Sequence, residues 1–137
     1  MKKVIFIGGT AYSGSTFLDM MLSNSNEGFS CGEVNALFYP YREHHINPEC
    51  GCGNSECDVW KTVKENGLNN LYQSIFELFP NVNYIVDSSK DPLWIADRSR
   101  KLVEQGIEVK NLLIWKSPEE YYYSCWKRKK IKGWKRR

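Results

Sequence analysis

The sequence predicts an α/β fold, a parallel sheet flanked by helices in three layers, and three observations carry that expectation. Short apolar runs alternate with helical patterns along the chain. Two of the helical patterns open on a proline a few residues after a strand-like run, at Pro92 and Pro118. The first apolar run ends in Gly8-Gly9 and passes through small residues into an apolar helical stretch. That order is strand, loop, helix, and it places loop amides and a helix N-terminus around one spot, which suits a phosphate or sulfate. The chain therefore reads as a protein that handles a phosphorylated or sulfated nucleotide.

The elements follow in order. A strand is expected at Val4–Ile7 and a helix from Thr16 to about Ser23, with an irregular region from there to about Trp60. Leu68, Leu71, Tyr72, Ile75, Phe76 and Phe79 recur at helical spacing and mark a helix with a core-facing side. A strand is expected at Asn83–Val86. A helix from Pro92 to Gln105 follows, with Asp91 as its N-cap and Gly106 as its end. The run Val109–Trp115 reads as another buried strand, and a last helix runs from Pro118 into a basic tail at 127–137. Parallel strands joined by helices imply right-handed crossovers.

Size and composition bound the rest. With 137 residues, 42% of them hydrophobic, residues 1–137 read as one domain with a real core. No apolar run reaches the 18 residues of a membrane span. The apolar part of Met1–Ile7 is too short for a signal peptide and leads into the anion loop, so it reads as the first strand. The net charge of +3 is uneven. The tail holds eight Lys/Arg and no acid, against eleven basic and sixteen acidic residues elsewhere. It reads as a solvated helix end whose cations suit the dipole, with attraction to a polyanionic acceptor as the alternative. No nucleic-acid partner is expected. Five cysteines, an odd number, and no export signal point to reduced thiols and a cytoplasmic location.

The loop Gly9-Thr10-Ala11-Tyr12-Ser13-Gly14-Ser15-Thr16 has the glycine spacing of an ATPase phosphate loop, but Ser15 stands where that loop has its lysine. The dinucleotide fingerprint G-x-G-x-x-G is not met either. What remains is a hydroxyl-rich loop suited to one terminal phosphate. Here the chain resembles the sulfotransferases that use 3′-phosphoadenosine 5′-phosphosulfate (PAPS), whose loop reads roughly G-x-x-[RK]-[ST]-G-[ST]-[ST]-x-L. Ser13, Gly14, Ser15, Thr16 and Leu18 match, and Tyr12 stands where the family usually has Arg or Lys. A second match is Lys116-Ser117-Pro118 with Ser124 eight residues after Lys116, against the family's R-D-P-x-x-x-x-x-S at the 3′-phosphate. Lys offers a point charge where Arg offers a planar fork. A third is Asp87-Ser88-Ser89-Lys90, similar to a D-S-S-K segment of bacterial sulfotransferase-like proteins. A fourth is Cys31-Gly32-Glu33, which resembles the segment holding the catalytic Glu in the tyrosine-sulfating branch.

The resemblance implies a P-loop-type fold and sulfuryl transfer from PAPS, with 3′,5′-adenosine bisphosphate as product. The acceptor would be a small-molecule, saccharide or peptide hydroxyl, or an amine. Tyr12, Ser13, Gly14, Ser15 and Thr16 would hold the 5′-phosphosulfate, and Lys116 and Ser124 the 3′-phosphate. Lys90 would supply the cation lacking at Tyr12, and Glu33 would take the acceptor's proton. His44 and His45 are alternative bases, but their polar stretch reads as a solvated loop. Family members run far longer, so the resemblance also implies a truncated member or a fragment. Three alternatives are a non-catalytic nucleotide-binding remnant, a P-loop nucleotide kinase-like protein and a zinc-stabilised binding module.

The run Cys50-Gly51-Cys52-Gly53-Asn54-Ser55-Glu56-Cys57 stays open between three readings. It suits a zinc site with His44 or His45 as fourth ligand, though C-x-C-x4-C is no standard finger. It suits a loop disulfide. It also resembles C-x-C-G…C-x-x-W loops of bacterial sulfotransferase-like proteins, with Trp60 at the matching interval. The transfer chemistry itself requires no metal. Cys125 is expected to be packed and inert in the last helix.

Overall fold

The computed structural model describes residues 1–46, 50–52 and 54–131. The tail residues 132–137 and the side chain of His44 lie outside the described part.

Four strands form one all-parallel sheet: β1 (Lys3–Gly9), β2 (Gly28–Gly32), β3 (Tyr84–Lys90) and β4 (Glu108–Ile114), in the order β2-β3-β1-β4. Six helices flank it: α1 (Ser15–Ser23), α2 (Asn35–Phe38), α3 (Val59–Glu65), α4 (Leu71–Leu78), α5 (Pro92–Glu104) and α6 (Pro118–Ile131). The two central strands read as apolar runs because both their faces are covered. Val4, Phe6 and Ile7 of β1, and Ile85 and Val86 of β3, are fully buried. Leu71, Tyr72, Ile75 and Phe76 of α4 close the core on the side predicted by their spacing. Helix α5 starts where Asp91 Oδ1 accepts the amides of Leu93 (2.8 Å) and Trp94 (3.2 Å), and it stops before Gly106, at φ +75°.

The structure corrects three expectations. The stretch read as irregular contains β2, an edge strand beside β3, as well as α2 and the start of α3. Asp87-Ser88-Ser89-Lys90 does not follow the third strand but is its last part. The run 109–115 is not a buried strand: β4 lies at the sheet edge, paired only to β1, and Leu113 is 80% exposed.

Asp87 is the charged group deepest in the sheet. Its Oδ2 accepts Tyr72 Oη–H (2.6 Å) and Trp94 Nε1–H (2.9 Å), and its Oδ1 accepts the Ser89 amide (2.8 Å). Burial pushes its carboxyl above the ordinary range, against the pull of these donors. A raised folded-state value means the folded chain holds the proton more tightly, so this group's contribution to stability falls as pH rises through that value. Tyr72→Phe removes one donor and should cost about 1.5–3 kcal/mol. Urea unfolding should find the deficit growing from acid to neutral pH; a deficit that shrinks instead would mean Asp87 is not the group concerned.

Candidate functional site

The loop expected from sequence to bind an anion begins where β1 ends. Gly9 pairs with Ile114 of β4 so closely that a Cβ would lie 2.3 Å from the Ile114 carbonyl oxygen. Tyr12 (φ +62°) and Gly14 (φ +94°) are both left-handed, which turns the chain sharply into α1. The Ser13 hydroxyl donates to the Thr10 carbonyl at 2.7 Å, so Ser13 braces the loop and faces a ligand only through its backbone. Gly14 is the N-cap of α1 and no side chain caps that helix. The first intrahelical bond at this end runs from the Leu18 amide to the Gly14 carbonyl (3.0 Å), so the first-turn amides are left to a ligand.

The segment after β4 is tied to this loop. Lys116, two residues beyond β4, donates through Nζ to Ser124 Oγ (2.8 Å) and to the Tyr12 carbonyl (3.1 Å). One ammonium thus joins the loop to α6 across the length of the chain. Helix α6 is started by a reciprocal pair. The Ser117 hydroxyl accepts the Glu120 amide (3.2 Å), and Glu120 Oε2 accepts the Ser117 amide (3.3 Å). Ser117 therefore sets the helix that carries Ser124. Residues 121, 124 and 128 share one helical face, and that face lies over the loop. The Tyr121 ring is 6.3 Å from the Tyr12 ring, and the Arg128 guanidinium lies over Tyr12 at 5.5 Å.

The third wall comes from the ends of β2 and β3. Lys90 is left-handed (φ +67°), and its Nζ donates to Glu33 Oε1 (2.5 Å) and to the Ser88 carbonyl (3.1 Å). Glu33 follows directly on Gly32, the last residue of β2, and its Oε2 accepts Tyr41 Oη–H at 2.9 Å. Partial burial pushes the Glu33 carboxyl up, but the Lys90 ammonium, the Tyr41 hydroxyl and Arg42 outweigh it and hold it below the ordinary range. Two hydrogen bonds, one buried and one partly buried, fix this wall. Ser88 Oγ donates to Asp19 Oδ2 of α1 (2.7 Å), and Ser89 Oγ accepts the Asn35 amide of α2 (3.1 Å).

These walls enclose one cleft of about 1000 Å³. Tyr12, Gly14, Ser15 and Thr16 line it from the loop, Glu33 and Lys90 from the strand ends, and Ser124 from α6. The residues singled out at opposite ends of the sequence thus meet. Lys116 stands behind Ser124, lining a neighbouring hollow, and Ser13 is turned into the loop. Tyr41, Arg42, Lys127 and Arg128 also line the cleft. None of these four was assigned to a site from sequence. Lys127 and Arg128 are exposed, as expected of a solvated helix end, but both also line the cleft, with Arg128 over Tyr12.

His45 is not in a solvated loop. It belongs to a 3-10 turn, Glu43–His45, and its half-buried ring packs edge-on against Tyr41 at 4.3 Å. All five cysteines are free thiols. Cys31 is buried, and burial together with Asp87 and Asp19 pushes its thiol well above the ordinary range, so it is a poor nucleophile. Cys125 is half-buried in α6. The sulfurs of Cys50, Cys52 and Cys57 all lie within 4.8 Å of one another. No helix among the described residues is long and apolar enough to cross a membrane. Compared with known proteins, the chain matches no family model and no curated protein.

Proposed function

We propose that the cleft binds PAPS in a three-layer, P-loop-type sulfotransferase domain and transfers its sulfuryl group to a hydroxyl or amine acceptor. The observation that carries this reading is one cleft where the uncapped loop–α1 amides face Ser124, which is hydrogen-bonded to Lys116 behind it, beside an acid–cation pair. A nucleotide charged at both its 5′ and 3′ ends fits two such elements; a singly charged ligand needs only one. The volume is also at the scale of small-molecule pockets.

The roles follow from chemistry. Backbone amides at Ser13–Thr16 hold the 5′-phosphosulfate, and Lys116 and Ser124 hold the 3′-phosphate. The acceptor oxygen or nitrogen attacks sulfur in line. Its bond to sulfur forms as the sulfur–oxygen bond to the phosphate breaks, the acceptor's proton goes to Glu33, and 3′,5′-adenosine bisphosphate leaves. Lys90 and Arg128 stabilise the charge that collects on the departing phosphate. Arg128, resting on Tyr12, brings a cation to the loop position that Tyr12 leaves uncharged.

A non-catalytic nucleotide-binding remnant is the second reading. The Lys90–Glu33 ion pair favours it, because each group there satisfies the other. Calorimetry distinguishes the classes. The proposal expects 3′,5′-adenosine bisphosphate to bind at least about tenfold more tightly than ATP with magnesium, since no loop lysine reaches a γ-phosphate. The opposite preference would support a kinase-like protein. Tight bisphosphate binding without transfer to any acceptor would leave the remnant.

A further inference from the structure

We propose that Cys50, Cys52 and Cys57 bind one zinc ion through three thiolates. The inference is independent of the proposed transfer chemistry.

The chain brings the three sulfurs together by local means. The Asn54 side chain accepts the Glu56 amide (3.0 Å) and the Asn54 carbonyl accepts the Cys57 amide (3.2 Å), a turn that returns Cys57 toward Cys52. Cys50 and Cys57 are half-buried and pack on the hydrophobic core, whereas Cys52 is exposed. Two ligands are thus anchored and the third faces solvent, where an ion can enter. Tetrahedral zinc with Zn–S bonds near 2.3 Å sets its sulfurs about 3.8 Å apart. The observed triangle, with no separation above 4.8 Å, needs a contraction of only about 1 Å. A disulfide would use two of the three thiols and strand the third. Soft thiolates favour zinc over magnesium or calcium. His45 does not belong to the cluster of donor atoms, and its ring is packed on Tyr41, so His45 is not a ligand in this proposal; the side chain of His44, the other histidine named from sequence, lies outside the described residues.

The ion would have a structural consequence. Cys50 and Cys57 flank the segment that leads into α3, and Tyr41 and Arg42, which line the cleft, come shortly before it. Closing three thiolates on one metal pins that segment to the core.

The test uses the full chain, reduced and freed of metal, titrated with cobalt(II) and then zinc(II). The expected result is one cobalt per chain, with a thiolate-to-cobalt charge-transfer band and tetrahedral d–d bands, both erased by one equivalent of zinc. Replacing Cys50, Cys52 and Cys57 by serine should abolish the spectrum. The Cys31→Ser/Cys125→Ser double variant and His45→Ala should keep it. No tetrahedral thiolate spectrum at excess metal, or one that survives the triple substitution, would overturn the site. So would loss of the spectrum in His45→Ala chains that remain folded by circular dichroism.

Discussion

Lys90→Ala is expected to slow sulfuryl transfer from PAPS by about 10²–10³-fold, the usual effect of removing a positioned charge from a developing anion. Lys90 occupies a left-handed conformation, which costs a non-glycine residue about 1–2 kcal/mol. Lys90→Gly should therefore be more stable than Lys90→Ala, since both lose the ion pair and only glycine relieves the strain, while losing the same activity, which separates chemistry from folding. Glu33→Gln should cost about 10²–10⁴-fold as the loss of a general base. Because the two side chains touch, the double variant should be far less than additive. The pH profile carries the sharper signature. In the free protein Lys90 holds Glu33 below the ordinary carboxylate range, so it is ionised but weakly basic. In the proposed mechanism, a bound phosphosulfate would draw Lys90 away from Glu33, which would remove the main group holding that carboxyl down. The acid limb of kcat should thus lie at higher pH than that of kcat/KM, since the two report bound and free protein. In Lys90→Ala the two limbs should coincide. Stability has the matching sign: a lowered folded-state value stabilises above the unfolded value and is lost as pH falls through the folded one. Unchanged turnover of PAPS in Lys90→Ala would remove Lys90 from the mechanism.

Gly9→Ala is expected to destabilise the fold by about 4 kcal/mol or more, a large share of the roughly 5–15 kcal/mol that holds a domain together. The new Cβ would lie 2.3 Å from the Ile114 carbonyl oxygen and 2.9 Å from Ile114 Cγ2, at a backbone φ of +144°. Neither strand can yield without breaking the β1–β4 register that places the anion loop beside Lys116. Gly8→Ala is the control, because its Cβ meets nothing closer than 3.6 Å. Denaturant unfolding should find Gly8→Ala near wild type and Gly9→Ala largely unfolded. Equal stability of the two would mean that β4 does not close on β1 in this register.

What could be read from sequence was what local rules decide. The strand–loop–helix at Gly9–Gly14, the Asp91 cap and the Gly106 stop depend on neighbouring residues, and the structure has all three. Strand β2 does not. Gly28-Phe29-Ser30-Cys31-Gly32 is short and glycine-flanked, and its strand form comes from pairing with β3, secured where the Asn83 and Tyr84 amides both donate to the Glu27 carbonyl. The edge position of β4 was equally hidden, since strand order is a tertiary property. Gly14 and Ser124, singled out through spacing, line the cleft, and Lys116 stands behind Ser124. Tyr41 and Arg42 lie in a polar stretch without periodicity. Lys127 and Arg128 read as a solvated end until the α6 register is known. Ser117 with Glu120 is the signal that was present and overlooked, since S-x-x-E announces the helix start.

The central claim is that one nucleotide spans both anion elements, and a thermodynamic cycle tests it most directly. Calorimetry of wild type and Lys116→Ala with 3′,5′-adenosine bisphosphate and with 5′-AMP isolates the 3′-phosphate. Wild type should prefer the bisphosphate by about 10–100-fold, the value of one or two charge-assisted hydrogen bonds. Lys116→Ala should lose most of that preference while keeping its affinity for 5′-AMP. Equal binding of both nucleotides by wild type, or an equal loss for both in the variant, would contradict the account, because Lys116 would then only brace the loop through the Tyr12 carbonyl.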